Sequence, residues 1–250
     1  KSHLIDRGRQ GFHDDRYFRE KVRVLVHQAV SHAGPVIVSL IRVADPRFFL
    51  GCELPGAGPD GEAANAGWGE GEWVVAEADE SDASFLKLRP EVAVITNLEL
   101  DHHSHWGSLR ELSAAFGQFA APASAVVLGP GVEIGVEGQR TVRFGLAPGP
   151  ADLIADEIDA DGGETRFRAR GVPLADGKEA DLEVRLRVPG RHNVLNALAA
   201  LGGIGLAGTE RRPKRLSKAL AGFPGVRRRL ERFAEARQYS KSATETSGAR

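Results

Sequence analysis

The sequence has little of what marks secreted, membrane and nucleic-acid-binding proteins. Its single cysteine, Cys52, excludes an intrachain disulfide framework and fits a reducing compartment. Lys and Arg number 33 against 34 Asp and Glu, and the net charge of -1 gives no overall basic field for nucleic acid or an anionic membrane. No apolar run approaches the length of a membrane span, and residues 1–19 lack the apolar stretch of a signal peptide. We therefore expect a soluble, cytoplasmic protein in which any recognition of phosphate is local.

Methionine is absent altogether, even at the first position, which predicts a piece of a longer chain. The 250 residues, 42% of them hydrophobic, suffice for one large domain or for a domain with a smaller attached subdomain. Residues 1–33 form a poorly defined segment, although Lys21–Ala33 carries apolar residues at helical spacing and predicts a helix. The main domain is expected over residues 34–235, and the polar residues 236–250 predict a disordered tail.

A run of acidic residues directly follows one predicted strand. The segment Glu72–Ala76 is short, apolar and β-branched, and the chain continues with Glu77, Asp79, Glu80 and Asp82. Ligands of open α/β sheets bind at the carboxyl ends of the strands, so carboxylates at this position indicate a bound cation. Because side chains alternate along a strand, only one or two of these carboxylates are expected to be ligands.

A second polar cluster follows the next predicted strand. Pro90–Thr96 is again apolar and β-branched, and it leads to Asp101 and His102. The intervening Ser81–Arg89 suits a short helix or turn that returns the chain for a parallel neighbour. If the two strands are adjacent, Glu77 lies beside Asp101 and His102. Oxygen ligands with one imidazole suit Mg²⁺ or Mn²⁺, and the lack of a Cys-x-x-Cys pair argues against structural zinc.

Each cluster also has a simpler interpretation. An acidic turn after a strand is more often solvated surface or the start of a helix, and His103 and His105 are interpreted as ordinary polar residues. His102 differs because a neighbouring aspartate commonly orients a metal-binding imidazole. Two such clusters in succession favour the metal site. A magnesium ion with few protein ligands usually shares phosphate oxygens, which points to a nucleotide.

The rest of the chain predicts a parallel sheet with an antiparallel addition. Ser108–Ala121 reads as an amphipathic helix with a capping box, and Ala125–Leu128 and Pro35–Val43 read as short buried strands. Phe48–Gly71 is rich in glycine and proline and predicts a long loop. From about residue 131 to 188, alternating patterns separated by glycine-rich turns predict an antiparallel insert that includes Thr141–Phe144.

Two further motifs have both a structural and a functional interpretation. After Gly190, an Ala/Leu-rich helix is predicted to begin near Asn193, which shares a helix face with Asn196. The two amides would either cap the helix and make a polar contact, or read the edge of a purine. Lys214–Leu220 predicts a short basic helix. The arginines at 227–229 that follow would be either solvated or in contact with a transferring phosphoryl group.

Taken together, four of these segments resemble the central ATP-binding domain of the Mur ligases: Ala76–Phe85, Thr96–His102, Val188–Asn196 and Phe223–Glu231. The acidic run at residues 77–82 is similar to that of the branch that adds L-alanine. The resemblance implies an α/β fold of the P-loop NTPase type, a mostly parallel sheet flanked by helices, with a small antiparallel β subdomain.

The resemblance also implies a reaction and a set of site residues. The reaction is the ATP-driven addition of L-alanine to UDP-N-acetylmuramate through an acyl phosphate, a cytoplasmic step in making peptidoglycan, with Mg²⁺ or Mn²⁺ as the metal. No nucleic acid or membrane partner is implied. The implied metal ligands are Glu77 and His102, the implied adenine and nucleotide contacts are His192, Asn193 and Asn196, and the implied phosphate contact is Arg228 or Arg229.

One expected element of the resemblance is missing. A phosphate-binding loop should precede the helix predicted near Lys21–Ala33, yet no Gly-Lys-Ser/Thr occurs anywhere in the 250 residues. The resemblance therefore implies an incomplete or inactive form of the ligase. The alternative is a noncatalytic nucleotide-binding, metal-binding or interaction module on the same scaffold.

Overall fold

The computed structural model describes residues 23–28, 45–58, 60–78, 80–81, 83–100 and 106–225, with the backbone alone at 23–28. The poorly defined segment at 1–33, apart from residues 23–28, lies outside the described residues. So do the strand predicted at Pro35–Val43 and the tail predicted at 236–250.

Ten strands and three α-helices make up the described fold. The strands are β1 (Arg23–Gln28), β2 (Arg47–Leu54), β3 (Ala64–Gly67), β4 (Trp73–Ala78), β5 (Val92–Ile95), β6 (Ala125–Leu128), β7 (Arg140–Leu146), β8 (Leu153–Asp161), β9 (Glu164–Pro173) and β10 (Glu179–Leu186). The helices are α1 (Leu109–Ala120), α2 (Arg191–Ala207) and α3 (Pro213–Ala221), and a single 3₁₀ turn spans Ser84–Lys87.

All ten strands belong to one sheet in the order β10-β9-β8-β7-β6-β5-β1-β4-β2-β3. The strands from β8 to β2 in this order pair in parallel, whereas β3 and β9 are antiparallel to their neighbours. Because β9 and β10 are also antiparallel, β10 runs in the same direction as the parallel strands. The predicted fold class, an α/β fold with a mostly parallel sheet and an antiparallel portion, is confirmed.

The helix predicted over Lys21–Ala33 is wrong where the structure describes it, since Arg23–Gln28 is a strand. This strand, β1, pairs in parallel with β4 on one side and with β5 on the other. A short apolar run does not by its spacing distinguish a buried helix from a buried strand, and here the pairing with two neighbours decides between them.

The long loop predicted over Phe48–Gly71 is also wrong in part, because β2 and β3 lie in it. Phe48, Leu50 and Leu54 are buried and anchor β2 against the sheet. The glycine and proline residues that suggested a loop are concentrated between these two strands, where they form the connection.

Thr141–Phe144 was assigned to the antiparallel insert, and this assignment is wrong. These residues belong to β7, which pairs in parallel with both β6 and β8. Antiparallel pairing begins only with β9. The alternating pattern shows that one face of a strand is wetter than the other, and it carries no information about the direction of the neighbouring strand.

Helices cover the two faces of the parallel strands. Helix α1 packs on one face, where Phe116 and Phe119 join Ile95 and Leu128 in a hydrophobic cluster. Its capping is confirmed, because Ser108 Oγ accepts a hydrogen bond from Glu111 N at 3.2 Å. Within the described residues, no helix is both long and apolar enough to cross a bilayer.

Helix α2 lies on the other face and is apolar on nearly every side, as expected of a helix surrounded by protein. Two glycines permit a close approach to the sheet: a Cβ atom at Gly205 would lie 2.1 Å from the carbonyl oxygen of Pro173, and one at Gly202 would lie 3.0 Å from Val127. Helix α3, which was predicted at Lys214–Leu220, packs beside β10.

The first turn of α3 is held by a carboxylate that precedes it. Glu210 Oε1 accepts hydrogen bonds from the backbone N–H groups of Arg211 and Arg212, and Glu210 Oε2 accepts one from Arg215 Nη1. Burial alone would raise the pKa of Glu210, but the hydrogen bonds from Arg212, Arg211 and Arg215 together lower it below its usual value of 4.5.

We expect Glu210→Gln to reduce the free energy of unfolding at neutral pH by about 1 to 2 kcal/mol, because the backbone N–H groups and the guanidinium groups that bond Glu210 lose an ionised acceptor. A carboxyl whose pKa is lower in the folded state stabilises the fold above the unfolded pKa, and this contribution is lost as the pH falls through the folded pKa. Urea unfolding should therefore show the difference between wild type and variant narrowing below pH 4.5. The exposed Glu179→Gln is the control, and an equal loss there would contradict the role of Glu210 in holding the start of α3.

Candidate functional site

Glu77 lies near the carboxyl end of β4, at the edge of the sheet where the parallel strands end. It is half-buried, and it pairs in register with His27 of β1. Trp73 and Val75 point to the α2 side of the sheet, so strand alternation places the Glu77 side chain on that side too. Glu77 was predicted to follow a strand ending at Ala76, whereas it is the penultimate residue of β4 and so lies within the strand, near its carboxyl end.

One carboxylate oxygen of Glu77 is held by the neighbouring strand β2. Glu77 Oε2 accepts a hydrogen bond from the backbone N–H of Gly51 at 2.8 Å. A Cβ atom at Gly51 would lie 3.2 Å from Glu77 Oε1, so the absence of a side chain there leaves room for the carboxylate. This contact could not be predicted from the sequence, because Gly51 lies in the segment interpreted as a loop.

The expectation that β4 and β5 are adjacent is wrong. Strand β1 lies between them and pairs with both. With strands about 4.8 Å apart, the ends of β4 and β5 are separated by roughly 10 Å. Open α/β sheets bind their ligands in a crevice outside the carboxyl ends of the strands, and β1 ends at this position between β4 and β5. Asp101 and His102, together with His103 and His105, lie outside the described residues.

The turn after β4 contains a buried acid. Glu80 is only 3% exposed, and among the residues that the structure describes it is the one charged residue that is buried. Its backbone carbonyl accepts a hydrogen bond from the indole Nε1–H of Trp106 at 2.8 Å. Asp79 and Asp82 lie outside the described residues. The sequence suggested no role for Trp106.

The end of β5 is tightly packed against the end of β6. Thr96 is buried, and its hydroxyl donates to Asn97 Oδ1 at 3.1 Å. Gly129, just after β6, donates its backbone N–H to Ile95 O at 2.8 Å, and a Cβ atom there would lie 1.8 Å from Thr96 O. The start of the segment that leads toward His102 is thereby fixed.

The topology brings the start of α2 to the same edge of the sheet. Strand β10 runs parallel to the central strands and ends at Leu186, and α2 begins at Arg191 after a short turn. Gly190 there has a φ of 106°, and a Cβ atom at this position would lie 2.7 Å from the His192 ring. Gly190 therefore supplies a conformation and a space that other residues would not.

The three predicted nucleotide contacts on α2 differ in exposure. His192 is exposed, and Asn193 is half-buried with its Nδ2 donating to Pro189 O at 2.7 Å. Asn196 is 2% exposed. Their spacing gives Asn193 and Asn196 a common helix face, and the former lies nearer the sheet edge. Arg228 and Arg229 lie outside the described residues.

The donor atoms at this edge fit a magnesium ion in part. Mg²⁺ is usually bound by one or two carboxylates, with water and phosphate oxygens completing the shell, and Glu77 is a carboxylate of this kind. Over the ranges that the structure describes, no three His, Cys, Asp or Glu side chains cluster as a metal cage. The residues of this chain do not form the usual binding site for nucleotide phosphates, because no Gly-Lys-Ser/Thr is present to supply the lysine and the hydroxyl.

Comparison with known proteins gives a consistent assignment. Residues 64–204 match the Mur ligase middle domain. The UDP-N-acetylmuramate--L-alanine ligase of Stenotrophomonas maltophilia (strain K279a) is 39% identical over 203 residues, which is 76% of this chain and 39% of that protein. The chain thus spans well under half the length of this relative.

Solved structures agree on the fold. The UDP-N-acetylmuramate-alanine ligase MurC from Thermotoga maritima has a TM-score of 0.72 and 28% identity, and the match covers 89% of this chain and 50% of that one. A MurF ligase from Thermotoga maritima in complex with ADP has a TM-score of 0.55 over 79% of this chain and 48% of that one, and at 15% identity it shares the fold alone. On the family match and these relatives, the chain belongs to the Mur ligase family and contains its middle domain.

Proposed function

We propose that this chain is the nucleotide-binding and metal-binding part of an ATP-dependent ligase that adds L-alanine to UDP-N-acetylmuramate in peptidoglycan synthesis. In this proposal Glu77 and His102 bind Mg²⁺ or Mn²⁺, and His192, Asn193 and Asn196 contact the adenine end of ATP. Arg228 and Arg229 approach the phosphates.

A single structural observation carries the proposal. Glu77 lies at the carboxyl edge of the parallel sheet, on the side covered by α2, and α2 begins at that same edge with His192 and Asn193. Glu77 and the start of α2 thus lie at the same carboxyl edge of one sheet, where open α/β sheets bind their ligands, and β10, which leads into α2, stands seven places from β4 in the strand order. The 39% identity to an alanine-adding ligase supports the choice of substrates.

The residues that the structure describes have defined tasks in this proposal. Gly51 N–H donates to one oxygen of Glu77 and so orients the carboxylate that is proposed to bind the metal. Asn193 is oriented through its own Nδ2, which leaves its amide oxygen as an acceptor for a ligand amino group. When bound, ATP would supply the phosphoryl group that activates a carboxylate for amide formation.

The phosphate side limits what this chain does alone. Because no Gly-Lys-Ser/Thr is present, we propose that the 250-residue chain binds divalent metal and the adenine end of a nucleotide but does not complete the ligation. The same absence favours a second candidate, a noncatalytic binding module on the Mur ligase scaffold.

Binding of Mn²⁺, followed by the EPR signal of the free ion, tests the metal site. Glu77→Gln should raise the dissociation constant by at least about tenfold, because a neutral amide replaces a charged oxygen ligand. Glu72→Gln, which changes an exposed acid just before the same strand, is the matched control and should bind as the wild type does. Equal affinity in Glu77→Gln and wild type would remove Glu77 from the site.

Phosphate release dependent on ATP, L-alanine and UDP-N-acetylmuramate separates the two candidates. We expect none from the chain alone. Calorimetric titration with ATP and Mg²⁺ should give measurable but weak binding, since most of the phosphate contacts are missing. Phosphate release that needs all three substrates would overturn the proposal that the chain is inactive alone, and an absence of heat would remove nucleotide binding.

A further inference from the structure

We propose that Trp106 is a positioning residue that ties together the two loops flanking the candidate metal site. The observation behind this is one buried hydrogen bond. The indole Nε1–H of Trp106 donates to the backbone carbonyl of Glu80 at 2.8 Å, across 26 positions of sequence. Trp106 is 7% exposed and Glu80 is 3% exposed, so water does not compete for this bond.

The bond joins segments that the sheet does not join. Glu80 lies in the turn after β4, close to Glu77, whereas Trp106 lies in the connection between β5 and α1 that also contains His102. Because β1 separates β4 from β5, these two strands share no ladder hydrogen bonds in the part of the chain that the structure describes. The indole of Trp106 bridges this gap directly.

The indole is itself held in place from the α1 side of the sheet. Its ring packs edge-on against Phe85, with ring centroids 6.2 Å apart, and Phe85 stacks on Phe116 of α1 at 4.8 Å. Phe85 belongs to the 3₁₀ turn that follows Glu80. The same aromatic cluster therefore anchors both connections, and the hydrogen bond sets the distance between them.

A fixed separation matters because a metal ion bound from both connections tolerates little change in ligand distance. Side chains that orient metal ligands typically change affinity by about 10- to 100-fold when they are removed. This inference rests on the proposed metal site, and it adds a residue that makes no contact with the metal and acts only through the spacing of the two loops.

Trp106→Phe tests the inference, because it removes the N–H donor and part of the ring volume while it keeps an aromatic ring against Phe85. The matched control is Thr165→Val in β9, which also removes a buried side-chain donor. The Thr165 hydroxyl donates to Val188 O at 3.1 Å. Both variants should show a lower midpoint of urea unfolding than the wild type. Only Trp106→Phe should also raise the dissociation constant for Mn²⁺, by about tenfold.

The outcomes separate the inference from the site on which it rests. If Glu77→Gln weakens Mn²⁺ binding but Trp106→Phe binds Mn²⁺ as tightly as wild type, the metal site stands and the positioning role of Trp106 is overturned. If Thr165→Val weakens binding as much as Trp106→Phe, the effect is a general loss of stability, and the positioning role is again overturned. If wild type binds no Mn²⁺, or Glu77→Gln binds it unchanged, the proposed site is wrong and the inference fails with it.

Discussion

Gly129→Ala should destabilise the protein by roughly 3 kcal/mol, at the upper end of the usual cost of overpacking. A Cβ atom at Gly129 would lie 1.8 Å from Thr96 O and 3.1 Å from the Phe144 ring. The nearest of these atoms is backbone at the end of β5, where Ile95 pairs with Leu128. The new methyl group is accommodated only if the ends of β5 and β6 separate, which also displaces the start of the segment leading to His102.

Urea unfolding followed by tryptophan fluorescence measures this effect, and the chain supplies a close control. Gly135 has no heavy atom within 4 Å of the position that a Cβ atom would take. Gly135→Ala should therefore change the free energy of unfolding by no more than about 0.5 kcal/mol. Similar unfolding midpoints for the two alanine variants would show that the close approach of Gly129 to Thr96 O does not prevent a side chain at position 129.

Phe85→Ala should reduce the free energy of unfolding by about 3 to 5 kcal/mol, as expected for truncating a large buried aromatic residue. Phe85 is 2% exposed, and its ring lies 4.8 Å from that of Phe116 and 5.5 Å from that of Phe119. The cavity left behind would open between the 3₁₀ turn and α1, where little can move to fill it.

The exposed Leu109 provides the comparison for Phe85. Leu109 is 51% exposed at the start of α1, so Leu109→Ala should have an effect within about 0.5 kcal/mol of zero. Phe85→Leu should fall between the two, because part of the apolar contact remains. A loss in Phe85→Ala no greater than that in Leu109→Ala would contradict the assignment of Phe85 to the hydrophobic core on the α1 side of the sheet.

Much of the local structure could be predicted because it depends on neighbours in sequence. Strand β5 and helix α1 are encoded by a run of β-branched residues and by an apolar period with a capping serine, and both were found as expected. Glu77 could be placed at a strand end for the same reason, since the acid follows directly on an apolar run.

The errors share one physical cause, which is that strand pairing is long-range. Arg23–Gln28 has a pattern compatible with either helix or strand, and it is a strand because β4 and β5, far along the chain, supply hydrogen-bond partners on both sides. Likewise the direction of β7 depends on its neighbours and not on its own alternation. Local propensity is overridden in such positions by tertiary contacts.

The sequence by itself determined the chemistry available to this protein: acids and histidines after two strands, asparagines at the start of a helix, and no Gly-Lys-Ser/Thr. Only the tertiary structure decided how these parts are arranged. It placed β1 between the two acidic connections, brought the start of α2 to the same edge as Glu77, and set Gly51 N–H and the Trp106 indole against that edge. Residue types fix what a group can bind, whereas the distances between groups depend on a sheet order that no local pattern encodes.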